Sequence, residues 1–226
     1  MVMKLDRVVP FGRSLDEYKL MFDLSSKDLE KKILGVGDGP ASFNALGTKN
    51  GMEITSIDPL YQFSGEEIRE RFNAIVDLII DQVIATPGNW VWKYYGNPQE
   101  LKAGRIEAME TFLADYDRGK EAGRYRVQEL PSLKFDDDSF DLALCSHFLF
   151  LYSEQYNQDF HLASIKEMLR VSKEVRIFPL LTLMQKKSPY LEFIQTELRD
   201  LNYSVEICTV PYELQPGGNE MLVIQT

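Results

Sequence analysis

Lys32-Ile33-Leu34-Gly35-Val36-Gly37-Asp38-Gly39-Pro40-Ala41 is an apolar run that passes directly into a loop of alternating glycines. A short buried strand that ends in such a loop lets the main chain approach a ligand closely, because no Cβ intervenes. Taken alone, a Gly-x-Gly loop is as often a plain turn as a ligand cradle, so its meaning depends on its flanks.

Upstream, Ser14-Leu15-Asp16-Glu17 is a capping-box start for a short helix whose apolar face carries Tyr18, Met21 and Phe22. Downstream, residues 42–46 read as a short helix that Gly47 closes, and residues 52–57 alternate as a second strand that stops at Asp58-Pro59. Ser64-Gly65-Glu66-Glu67 opens a long helix with Ile68, Phe72, Ile75, Ile79 and Val83 in register, and Asn97-Pro98 opens another with Leu101, Ile106, Met109, Phe112, Leu113 and Tyr116. Strand patterns return at 125–128, 140–145, 175–179, 203–210 and 221–225, with helices over 160–171 and 188–201 between them. This order predicts an α/β fold, a Rossmann-like, mostly parallel sheet with an antiparallel C-terminal hairpin around Pro216-Gly217-Gly218. In such sheets ligands bind beyond the carboxyl ends of the strands.

Two further features sharpen this. Asp58 ends the second strand, where a carboxylate can accept both hydroxyls of a ribose. Glu129-Leu130-Pro131-Ser132-Leu133 follows the third strand, and Asp138-Ser139-Phe140-Asp141 enters the fourth. Together these resemble the S-adenosylmethionine-dependent methyltransferase family with a seven-stranded sheet, over roughly residues 30–60 and 123–226. The resemblance implies S-adenosylmethionine as cofactor, with S-adenosylhomocysteine as product. It implies that Gly35, Gly37, Asp38 and Gly39 form the cofactor loop, that Asp58 holds the ribose and that Glu129 and Leu130 approach the adenine. Cys145, Ser146 and His147 are then expected beyond the fourth strand, near the transferred methyl group. A nicotinamide-type loop would place a third glycine where this chain has Ser42, and would not require the terminal hairpin.

The chain departs from the family in three places. Gly35 stands where the family usually carries the acid that helps hold the methionine end of the cofactor, and Asp38 is the neighbour able to substitute in part. Ala41 replaces a glycine. Asp58 and Glu129 are separated by an excess of about residues 61–121, read within a single domain 1–226 as a helical cap: a lid or a homodimer surface. Methyl transfer needs a base only where the nucleophile starts protonated. His147 is the first candidate, Tyr152 the second, and His161 is expected to be structural. Trp90, Trp92, Tyr94 and Tyr95 form a cluster that packs under the cap or meets a flat substrate. Arg71 and Arg105 are expected on solvated helix faces, with steering of an acidic substrate as the alternative.

Composition narrows the partners. A net charge of −10 over 226 residues gives no attractive field for phosphate backbones, and the fourth strand is followed by Cys145-Ser146-His147-Phe148 rather than a nucleic-acid amino-methyltransferase signature. A small-molecule or protein acceptor is therefore expected, a small molecule first, with no nucleic acid and no membrane partner. Two cysteines, Cys145 and Cys208, both in apolar runs, read as buried free thiols, and two histidines without a cysteine pair give no zinc pattern. The opening Met1-Val2-Met3-Lys4-Leu5-Asp6 lacks the apolar core of a signal peptide, which points to the cytoplasm. The alternative to an enzyme is a non-catalytic binding or interaction protein on the same fold.

Overall fold

The computed structural model describes residues 9–225; the reading of Met1–Asp6 lies outside them. Strands β1 (Lys32–Val36), β2 (Glu53–Ile57), β3 (Tyr125–Arg126), β4 (Leu142–Ser146), β5 (Glu174–Phe178), β6 (Ser204–Thr209) and β7 (Glu220–Gln225) form one sheet in the order β3-β2-β1-β4-β5-β7-β6. All neighbours pair parallel except β7, which runs antiparallel to both β5 and β6. The expected fold class is therefore present, including the terminal hairpin.

Alternation along β1 and β4 sends side chains to two faces. Leu34, Val36, Ala143 and Cys145 pack with Ile165, Met168, Ile194 and Leu198, from helices α5 (Gln158–Val171) and α6 (Leu191–Asp200). On the other face, Ile33, Leu142 and Leu144 meet Tyr18, Met21 and Phe43 from α1 (Leu15–Met21) and α2 (Phe43–Lys49). Gly47 does not end α2, as its position suggested. It stays inside the helix, where a Cβ would lie 2.3 Å from Ile54 Cδ1, so its bareness lets α2 rest on β2.

Residues 61–121 divide between two roles. Helix α4 (Pro98–Glu121) leads directly into β3 and packs beside α2. Of the expected stripe, Leu101, Met109, Phe112 and Tyr116 are buried, joined by Arg105 and Ala108, while Leu113 is half-buried and Ile106 is exposed. Helix α3 (Gly65–Ile84), opened by the Ser64–Glu67 capping box, lies over the carboxyl end of the sheet. No helix stands between β3 and β4. Among the described residues, no helix is long and apolar enough to cross a membrane. Cys145 is buried, whereas Cys208 is only half-buried on the edge strand; both are free.

Candidate functional site

A cavity of about 870 Å³ opens at the carboxyl ends of β1, β2, β4 and β5, beneath α3. That is at the upper end of the range for small-molecule sites. Gly37, Asp38, Gly39, Asp58, Glu129, Leu130, Ser146, His147 and Tyr152 all line it. Gly35 does not. It lies within β1, paired with Ser56 and Leu144, behind Asp38.

The loop has this shape for local reasons. Gly37 (φ +67°) and Gly39 (φ +52°) adopt the left-handed region, which turns the chain back after the strand. Asp38 then folds over Gly35 so closely that a Cβ there would sit 1.9 Å from Asp38 Oδ2. The carboxylate of Asp38 thus fills the space above residue 35, which gives a steric reason for glycine at that position. Tyr18 Oη donates to Asp38 Oδ1 at 2.6 Å and Ser56 Oγ to Oδ2 at 2.6 Å. Among the described residues, no cationic side chain pairs with Asp38. Burial, against the lowering effect of those two hydrogen bonds and with the nearby charge of Asp58, pushes its carboxyl up to about 7.

Asp58 ends β2. Its Oδ2 accepts from the Gly39 amide at 2.9 Å and its Oδ1 from the Leu60 amide at 2.7 Å. It therefore caps the turn Pro59–Gln62 and braces the glycine loop at once, and each oxygen keeps a lone pair for a ligand hydroxyl. Burial raises it to about 6 in spite of those amides. Tyr61 Oη ties the same loop by donating to the Gly39 carbonyl at 2.8 Å. Glu129 is exposed at the rim and Leu130 is buried beside it.

Ser146 is the last residue of β4 rather than beyond it, and His147 follows with φ +52°. Ser146 Oγ and His147 Nδ1 are 3.0 Å apart, and the imidazole meets the Phe178 ring edge-on. Burial, helped by the charges of Arg13 and Arg105, holds His147 well below the ordinary histidine range, so the ring is neutral and weakly basic. Burial likewise lifts Tyr152 to about 12. His161 is buried on α5 between the carbonyls of Asn157 and Leu149, away from the cavity.

Arg105 departs most from expectation. It is fully buried, and its guanidinium reaches Glu17 through two hydrogen bonds, of 2.7 and 2.9 Å. Tyr212 Oη donates to the same carboxylate at 2.7 Å, and Arg105 also bonds Tyr95 Oη at 2.9 Å. Arg71 lines the cavity with its guanidinium over the Phe63 ring at 3.7 Å. Of the aromatic cluster, Trp90 lines the cavity, while Tyr95 is buried against Arg105.

Sequence reasoning did not find Arg13. The segment from Val9 to Arg13 lies over the glycine loop, with Ser42 N–H donating to the Arg13 carbonyl at 3.0 Å. Its guanidinium lines the cavity and bonds the Phe11 carbonyl, while its Nε has no hydrogen-bond partner among the described residues. Glu17 lies 4.0 Å from that Nε, but its charge is already matched by Arg105. One positive charge is therefore left over at the cavity wall. No pattern around Arg13 in the sequence marks it.

No family model matches the chain. The uncharacterized protein MJ0045 of Methanocaldococcus jannaschii is 37% identical over 224 residues, covering 99% of this chain and 98% of the other. The chain belongs to the family of that archaeal protein. Among solved structures, WbdD in complex with a kinase inhibitor is similar over 93% of this chain and 40% of its own, with 13% identity and a TM-score of 0.50. Magnesium protoporphyrin IX methyltransferase (ChlM) from Synechocystis PCC 6803, with bound SAM, is similar over 93% of this chain and 77% of its own, with 13% identity and a TM-score of 0.49. At 13% identity the likeness to WbdD is one of fold alone.

Proposed function

We propose that the protein is an S-adenosylmethionine-dependent methyltransferase with a small-molecule acceptor. The observation that carries this is the pair formed by Asp38, a buried carboxylate without a cation, and Arg13, a largely buried guanidinium without a full partner, both lining one cavity. A buried charge left unmatched is costly, so each favours a ligand of the opposite charge. An amino-acid zwitterion meets both, its ammonium at Asp38 and its carboxylate at Arg13. Asp58 supplies acceptors for ribose hydroxyls, the glycine loop gives close access to the main chain, and Leu130 with Glu129 borders the adenine end. S-adenosylmethionine joins these three chemistries in one molecule.

When bound, the cofactor supplies an electrophilic methyl group on a sulfonium. The chain's contribution is alignment and exclusion of water under α3. His147 and Tyr152 are the candidate catalytic residues. Neutral His147 can orient an acceptor by hydrogen bonding but is a poor base, and Tyr152 holds its proton. This weak acid–base equipment favours a second reading, a non-catalytic binding protein that retains the cofactor site. The first reading carries with it a cytoplasmic protein without nucleic-acid or membrane partners; light scattering decides whether it forms a homodimer.

Titration calorimetry with S-adenosylhomocysteine tests the reading. Saturable binding that is lost in Asp58→Ala is expected, and no binding at millimolar ligand overturns it. Radiolabelled methyl transfer to an extract of small molecules separates enzyme from binding protein.

A further inference from the structure

The cavity is not uniform. Its charged lining residues are Arg13, Asp38, Asp58, Arg71 and Glu129, whereas one wall is apolar; Arg71, one turn before Ile75 on α3, has its guanidinium over the Phe63 ring. That wall is made by Ile75 and Ile79 of α3, by Trp90, by Leu183 after β5 and by Leu214 before β7. Ile75, Ile79, Trp90 and Leu214 belong to one packed cluster, and Val91 N–H donates to the Leu214 carbonyl at 2.9 Å; Leu183 is held separately, its N–H donating to the Leu151 carbonyl at 3.1 Å. Polar atoms near the wall are tied within the protein. Trp90 Nε1 donates to Thr86 Oγ1 at 3.1 Å, and the hydroxyls of Tyr212 and Tyr95 are held by Glu17 and Arg105. Trp90 therefore turns an indole with a satisfied N–H towards the space.

We propose that this wall forms the acceptor lobe, and that the acceptor is a neutral, flat, largely apolar molecule whose attacking nitrogen or sulfur carries a free lone pair at neutral pH. The proposal rests on the methyltransferase reading. A charged acceptor would be desolvated there without a partner, and an acceptor that must first lose a proton would find only the buried, weakly basic imidazole of His147 to take it. The lone pairs that Asp38 and Asp58 keep are committed to the cofactor's ammonium and ribose in that reading, and His147 Nδ1 is engaged by Ser146. The burial that keeps His147 uncharged points the same way. In the transfer, the acceptor lone pair forms the new bond to the methyl carbon as the carbon–sulfur bond breaks. That electron pair stays on sulfur, which becomes a neutral thioether. A nitrogen without a hydrogen retains the positive charge in the product, and one with a hydrogen gives the proton to water.

The test uses the full chain with Trp92→Phe, so that Trp90 is the sole tryptophan, and three probes: isoquinoline, 2-naphthol and 2-naphthoate. Isoquinoline should quench Trp90 fluorescence saturably and bind about ten-fold or more tightly than 2-naphthoate, about one factor of ten being the least that a missing counter-charge implies. With S-adenosylmethionine present, N-methylisoquinolinium should form and 2-methoxynaphthalene should not. Ile75→Phe, which fills the lobe without adding polarity, should weaken isoquinoline about ten-fold while S-adenosylhomocysteine affinity by calorimetry stays unchanged. Trp90→Ala, read by calorimetry, should do the same and covers the case in which Ile75→Phe fails to fold. Tighter binding of 2-naphthoate, no binding of isoquinoline, or methyl transfer to 2-naphthol alone overturns the proposal. If S-adenosylhomocysteine fails to bind while isoquinoline still quenches, the cofactor reading falls and the apolar lobe stands.

Discussion

Glu17 and Asp38 are both buried carboxylates that accept a hydrogen bond from a tyrosine hydroxyl, Tyr212 for one and Tyr18 for the other. Their chemistry diverges because only one has a cation. Burial would raise Glu17, but the charge and hydrogen bonds of Arg105 outweigh it and bring the carboxyl down to about 2. Asp38 has only neutral donors, and burial prevails. The Glu17 region carries its own cation, although Arg105 Nε has no hydrogen-bond partner among the described residues, and it clamps α1 to α4. The Asp38 region is unfinished without a ligand. The same side-chain chemistry therefore serves stability in one place and binding in the other.

The comparison breaks most visibly at Arg105. Arg105→Met leaves Glu17 in the core with only Arg13, 4.0 Å away, as a cation and should cost about 3 kcal/mol of unfolding free energy by urea titration. The double variant Glu17→Gln/Arg105→Met should recover much of that, and a single variant as stable as the parent would refute the clamp. Next in size, Asp58→Ala should weaken S-adenosylhomocysteine about a hundred-fold, as expected for losing two hydrogen bonds to a charged group. The third prediction concerns pH. The raised carboxyl of Asp38 contributes stability below the ordinary carboxylate range, and that contribution is lost as pH rises through about 7. Ionisation over the same range prepares the site for an ammonium group. Affinity for S-adenosylhomocysteine should therefore be about ten-fold weaker at pH 6 than at pH 8, and Asp38→Asn should flatten the profile while leaving the free protein at least as stable at pH 8. The smallest effect is Tyr18→Phe, about 1 kcal/mol in S-adenosylhomocysteine binding by calorimetry; an unchanged affinity would mean that the hydroxyl does not order Asp38.

How far each region could be read from the sequence follows the same division. The glycine loop, Asp58 and the strand order are local features, built by main chain or by residues at strand ends, and their patterns carry them. The Ser14–Glu17 capping box was equally legible, and both of its hydrogen bonds are present. Its second duty was not, because Arg105 lies 88 residues away and only tertiary packing joins them. A signal did exist: Leu101, Arg105, Ala108 and Phe112 keep helical spacing, so the arginine falls on the buried stripe. Ile106, the neighbouring apolar residue, reads into that stripe in its place and is exposed. Arg13 had no comparable mark, since its place depends on where the segment before α1 crosses the sheet.

That crossing has a further consequence. Gly12 passes the glycine loop so closely that a Cβ would stand 2.2 Å from the Pro40 carbonyl oxygen, and the two segments touch main chain to main chain. The strand end fixes the loop from below, and this strap closes it from above. Gly12 and Arg13 are adjacent, so one short segment both covers the loop and carries the guanidinium to the cavity wall.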